Sequence, residues 1–149
     1  MRAVIQRVDS AKVSVEESTI SVIDKGILVL LGIEKGDEKK DAEYLLEKMI
    51  NLRIFEDDSG KMNLSLLDIS GEMLVVSQFT LLADCQKGRR PSFSLAENPN
   101  EAKSLYEYFL SQGGKKIRGI YGGAFQTIMK ISLVNDGPVT ILLDSRKTL

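Results

Sequence analysis

A chain of 149 residues with 43% apolar content can bury one real core and shows no composition break, so residues 1–149 are expected to form a single domain. Histidine is absent and cysteine occurs once, which excludes Ser-His-Asp hydrolysis, histidine-bound zinc, an internal disulfide and a multi-cysteine metal site. A net charge of −1 provides no general basic surplus, so any polyanion partner must be held by a local patch.

The N-terminal stretch Met1 to Arg7 lacks the apolar run of a secretory signal, and the longest apolar run, Ile27 to Leu31, is too short to span a bilayer. A soluble, cytoplasmic protein without a membrane partner is expected. Apolar runs at Ala3–Val8, Ala11–Val15, Thr19–Ile23 and Gly26–Ile33 read as four early strands, the last apolar enough to be buried on both faces. A helix follows from about Asp37, a plausible N-cap, with Ala42, Leu45, Leu46 and Met49 sharing one face. After a short strand around Leu52–Phe55, Asp57-Asp58-Ser59-Gly60 has turn chemistry and lacks the acidic positions of a calcium loop.

Glu72–Phe79 reads as a second buried strand whose C-terminal end turns polar at Ser77 and Gln78. A second helix opens with Asn98 at the N-cap, Pro99 at N1 and Glu101 at N3. Its core stripe is Ala102, Leu105, Tyr106 and Phe109, and it should end at Gly113-Gly114. Further strands are expected near Lys116–Tyr121, Thr127–Val134 and Val139–Leu143, with Asp136-Gly137-Pro138 as the break between the final two. The expected fold is a mixed α/β domain, with β-sheets or a barrel-like β core and two helices packed on one side.

Three segments carry chemistry. Ser77-Gln78-Phe79-Thr80 offers hydroxyls, an amide and backbone N–H groups where a buried strand emerges; these can hold a carbonyl oxygen as it gains charge, or simply satisfy local backbone groups. Asn135-Asp136-Gly137-Pro138 interrupts two buried runs, either as a plain turn or as a loop tip that projects backbone carbonyls into a ligand site. Lys87, Arg89 and Arg90 concentrate positive charge in one loop, which is either solvated or binds phosphates.

These segments, taken with Met1 to Val8, Asn51 to Phe55, Gly60 to Leu64, Gly88 to Phe93 and Ser132 to Thr140, resemble the D-aminoacyl-tRNA deacylase family in matching order over essentially the whole chain. The related family of trans-Gly-Pro editing enzymes differs at both signature segments. The resemblance implies a homodimer in which a cis Gly137-Pro138 of one subunit reaches the pocket of the other, where its carbonyls exclude the side chain of an L-amino acid. It implies that Ser77, Gln78, Phe79 and Thr80 line the site of the esterified adenosine. Phe125 and Met129 match pocket positions, although the family usually has Phe-Gly-Ala followed two residues later by Met, and here Gln126-Thr127 replace the small pair.

The expected activity is hydrolysis of the ester of D-aminoacyl-tRNA, with backbone donors at Phe79 and Thr80 stabilising the oxyanion and the terminal ribose 2′-hydroxyl assisting. No metal or cofactor is expected, and Lys87, Arg89 and Arg90 are expected to bind tRNA. The rivals are a noncatalytic tRNA-end binding module and a small-molecule esterase with Thr80 as nucleophile.

Overall fold

A computed structural model describes residues 1–149. Its strands are β1 (Arg2–Val15), β2 (Ser18–Ile23), β3 (Gly26–Gly32), β4 (Phe55–Glu56), β5 (Met62–Leu64), β6 (Glu72–Ser77), β7 (Gly119–Gly122) and β8 (Lys130–Asp144). The helices are α1 (Lys39–Asn51) and α2 (Pro99–Gly114), and a 3₁₀ turn covers Phe79–Leu82.

The main sheet is mixed. β1 pairs antiparallel with β3 through Arg2–Val8 and with β2 through Ala11–Val15, while β8 runs antiparallel along it from Arg2 to Ser14. β3, β6 and β7 are mutually parallel. The Ser21 hydroxyl donates to the Gly122 carbonyl at 2.6 Å, drawing β2 toward β7 so that the sheet nearly closes into a barrel-like core.

Alternation along the central strands explains the two apolar clusters. Ile27, Val29 and Leu31 of β3, with Met73 and Val75 of β6, face the helices; Leu28, Leu74 and Val76 face the barrel interior with Val8, Ala11 and Val13. β3 is thus buried on both faces, as its unbroken apolar run predicts. Leu45, Leu46 and Met49 of α1 and Tyr106 and Phe109 of α2 all join the first cluster, so both helices cover one side. Burial of each such side chain contributes about 1.5–3 kcal/mol. Neither helix is long and apolar enough to cross a membrane.

Several expected boundaries move. The two strands expected before residue 16 are one, β1, which tolerates a bulge near Asp9 instead of breaking. The short strand expected at Leu52–Phe55 reduces to the β4 and β5 ladder, and the strand expected from Lys116 starts only at Gly119. The strand ending at Phe79 stops at Ser77, where the 3₁₀ turn takes over. The N-cap of α1 is Glu38, whose N–H is accepted by Asp41 at 2.8 Å. Asp37 is spent elsewhere, accepting from the Met1 ammonium at 2.8 Å and from the Glu34 N–H at 2.7 Å in a fully buried contact. By contrast Asn98 caps α2 as expected, accepting from the Glu101 N–H at 3.1 Å, and the helix ends at Gly114.

The strands expected on either side of Asp136-Gly137-Pro138 are also one, since β8 runs through. Even so, its ladder is interrupted there: Val8 faces Asn135 and Gln6 faces Thr140, so the residues between Asn135 and Thr140 bow out of the sheet.

Candidate functional site

β3 and β6 are parallel and end side by side, at Gly32 and Ser77. Beyond their carboxyl ends lies a cavity of about 630 Å³. Its walls include Ile33, Val76, Ser77, Gln78, Phe79, Phe125, Met129 and Ile131, closed at one side by Ala96, Glu97, Pro99 and Ala102 where α2 begins. This mostly apolar lining with a few polar groups at one edge suits a small organic ligand.

The 3₁₀ turn brings backbone donors to this edge. The N–H groups of Phe79 and Thr80 open the turn and have no partner within its own ladder. Gly32 makes room for the turn: a Cβ there would lie 2.5 Å from Leu82 Cδ2 and 3.0 Å from the Gln78 carbonyl oxygen. The Gln78 N–H donates to the Leu31 carbonyl at 2.8 Å, and the Arg2 guanidinium donates to the Leu81 carbonyl at 3.3 Å, tying the turn to β3 and β1. The Thr80 hydroxyl accepts from the Gln78 side-chain amide and is exposed, outside the cavity wall. The only acidic residue on the wall, Glu97, accepts from Asn98 at 2.7 and 3.0 Å and from the Gly36 N–H at 3.3 Å.

Tyr106 supports the floor. Its hydroxyl donates to the Val75 carbonyl at 2.8 Å and accepts from the Gly123 N–H at 3.0 Å, and its ring lies 5.8 Å from that of Phe125. Burial pushes its phenol up to about 12, with the Gly123 hydrogen bond pulling the other way. Met129 is held by the Ala124 N–H, which donates to its sulfur at 3.2 Å. Between Phe125 and Met129 the backbone turns sharply. Gln126 has φ +56°, a left-handed conformation that glycine adopts freely, and Gln126, Thr127 and Ile128 all form the rim. Ile128 is 92% exposed.

Gly137-Pro138 lies apart from this cavity, exposed on the bowed segment of β8, and its peptide bond is cis. Arg7, only 4% exposed, braces the segment. It pairs with the Asp136 carboxylate at 2.9 Å, donates to the Asp136 carbonyl at 3.2 Å and is anchored below by the Ile54 carbonyl at 2.6 Å. The Asn135 side chain closes the bow from the other end, donating to the carbonyls of Arg7 at 3.2 Å and Val139 at 3.0 Å. Lys87, Arg89 and Arg90 sit on an exposed loop whose neck is the Asp84–Ser92 bridge.

The structure therefore unites Ser77, Gln78, Phe79, Phe125 and Met129 at one cavity and leaves Thr80, Gly137, Pro138 and the basic loop outside it. Sequence reasoning missed Gly32, the bracing by Arg7 and Asn135, and the Tyr106 hydroxyl. Only Gly32 carried a readable signal, a glycine closing a buried strand and so marking close backbone approach.

Fold and cavity together define the class: an α/β protein with a barrel-like sheet and a ligand pocket beyond the carboxyl ends of parallel strands. A model of the D-Tyr-tRNA(Tyr) deacylase family matches residues 4–144. Proteins named D-aminoacyl-tRNA deacylase from Syntrophus aciditrophicus (strain SB) and Thermosipho africanus (strain TCF52B) are 64% and 60% identical over 147 residues, covering 99% of this chain and of each relative. A solved structure described as the c-Myc DNA Unwinding Element Binding Protein is 46% identical with a TM-score of 0.92, covering 97% of this chain and 98% of its own. The chain belongs to the D-Tyr-tRNA(Tyr) deacylase family.

Proposed function

We propose that this chain hydrolyses the ester of D-aminoacyl-tRNA, releasing the D-amino acid and the tRNA, and so removes wrongly charged tRNA in the cytoplasm before translation uses it. The observation that carries this reading is the meeting of Ser77, Gln78 and Phe79 with Phe125 and Met129 at one cavity, in a member of this family. The terminal adenosine and its amino acid occupy the cavity, with Phe125 and Met129 as its apolar wall. Water attacks the ester carbonyl, and the N–H groups of Phe79 and Thr80 hold the oxygen as it becomes an oxyanion. The leaving 3′-oxygen recovers a proton with help from the adjacent ribose 2′-hydroxyl, so no histidine is required.

Gly137 and Pro138 act as the chirality filter from the other subunit of a homodimer. Two features support this. The pair lies outside the cavity of its own chain, and β8 leaves one edge unpaired while presenting Val134 at 54% and Leu142 at 61% exposure, an apolar surface suited to a self-complementary contact. Lys87, Arg89 and Arg90 hold tRNA phosphates. A deacylation assay with matched D- and L-tyrosyl-tRNA tests the reading: rapid release of D-tyrosine alone is expected, and equal cleavage of the two, or of neither, would refute it.

A further inference from the structure

Two aromatic rings, Phe79 at the cavity edge and Phe93 beyond it, have side chains with no role in this chemistry. Phe79 is 55% exposed and Phe93 is 37% exposed, unusual for side chains that large and apolar. Their centroids are 5.0 Å apart and their planes 70° apart, an edge-to-face arrangement in which each fixes the other while much of their surface stays open to solvent.

Their position lies between two features. Phe79 lines the cavity. Phe93 follows Ser92, which exchanges two backbone hydrogen bonds of 2.7 and 2.9 Å with Asp84 and so closes the neck of the loop carrying Lys87, Arg89 and Arg90. A path from the cavity thus crosses open rings and then meets positive charge. A single nucleic-acid strand has the matching order, since each base presents a flat face and each is joined to the next by a phosphate. Three cations within four residues, on a chain with no overall positive charge, favour that occupant over an uncharged apolar partner.

We propose that Phe79 and Phe93 form a stacking platform for the base next to the terminal nucleoside of the tRNA 3′ end, while the basic loop takes the adjoining phosphates. This rests on the reading of the cavity as the site of the terminal aminoacyl-adenosine. The platform adds affinity for a single-stranded end of any sequence, because every base has a face to stack, and it aligns the ester with the donors of the 3₁₀ turn.

The chain has no tryptophan, so Phe93→Trp introduces a single indole whose emission reports stacking directly. The probe is an uncharged RNA minihelix ending in single-stranded cytidine-cytidine-adenosine; adenosine alone and the same minihelix trimmed blunt serve as controls. Saturable quenching by the tailed minihelix, and by neither control, is expected. Phe93→Ala should weaken its binding roughly tenfold or more, the scale of one lost base stack, and Phe93→Tyr should restore it. Absence of quenching, equal quenching by the blunt minihelix, or unchanged affinity in a folded Phe93→Ala would overturn the proposal. If Phe93→Ala fails to fold, the Phe93→Trp titration decides. Hydrolysis of D-tyrosyl-tRNA by the unsubstituted protein is measured in parallel. Hydrolysis without quenching removes the platform alone, whereas quenching without hydrolysis removes the deacylase reading and keeps the platform.

Discussion

Thr80 illustrates how surroundings decide what a hydroxyl can do. It accepts a hydrogen bond from the Gln78 amide, and Glu97, the only acidic side chain in the cavity wall, is occupied by Asn98 and Gly36. Without a base to take its proton, the hydroxyl is a poor nucleophile at neutral pH. We expect Thr80→Ala to keep D-tyrosyl-tRNA deacylation within about tenfold of the unsubstituted protein, roughly 1.4 kcal/mol in barrier height. Mass spectrometry should find no aminoacyl group on Thr80; trapping one would promote the esterase alternative. Gly137 is constrained for a different reason. Its φ is +118°, and a Cβ would lie 2.8 Å from Arg7 Nη2 and 2.9 Å from Val139 Cγ2. Gly137→Ala therefore costs on the order of 1–3 kcal/mol in backbone strain and displaces the brace. The expected result is lower turnover of D-tyrosyl-tRNA with no gain of L-tyrosyl-tRNA cleavage, read from paired assays; a gain of L cleavage would show that exclusion depends on the glycine backbone geometry and is lost when that geometry is strained.

Strands and helices meet the cavity through single side-chain ties. Tyr106 joins α2 to the end of β6 and to the backbone just past β7, by way of Val75 and Gly123. Tyr106→Phe removes this donor while the Gly123 N–H still reaches the Val75 carbonyl at 3.0 Å, so a loss of about 0.5–1.5 kcal/mol in stability is expected by denaturant unfolding. The tie also predicts a pH dependence. Because burial raises the phenol from 10 to about 12, the neutral form is favoured in the folded chain. Its contribution to stability is complete below pH 10 and is lost as pH rises toward 12. Tyr106→Phe should flatten the stability profile across that window, and an identical alkaline fall in both proteins would show that another group controls it. Arg7 plays the corresponding part for the bowed segment of β8. It reaches Asp136 and Ile54 at once through a forked head, a geometry that lysine cannot reproduce. Arg7→Lys should therefore lower both melting temperature and turnover.

Assembly and tRNA docking involve opposite surface chemistries. The apolar edge of β8 and the exposed Gly137-Pro138 predict a dimer by sedimentation, and a stable monomer with full activity would defeat the two-subunit site. The basic loop predicts salt dependence. Replacing Arg89 and Arg90 with Ala should reduce the slope of log affinity against log salt by about 2, the release of roughly one counterion for each phosphate contact removed. An unchanged slope would place the tRNA elsewhere.

Local patterns made much of this fold legible. The unbroken apolar runs of β3 and β6 announced strands buried on both faces, the 3.6-residue stripes announced both helices, and Asn98-Pro99 announced the start of α2, because each depends on neighbours a few positions away. Motif resemblance likewise brought Ser77, Gln78, Phe79, Phe125 and Met129 into one expected site. Local reading failed where a residue's partner is distant in sequence. Asp37 looked like a cap but binds the Met1 ammonium, and Arg7, to which the sequence assigned no partner, braces Asp136. β1 and β8 looked divided, yet pairing along their whole length carries both through their bulges. Gly32 reads as a strand end until the 3₁₀ turn is seen packed against it at a distance no Cβ would allow. Such choices follow from the contacts made when the sheet curls and the chain ends come together, and no window of neighbouring residues contains them.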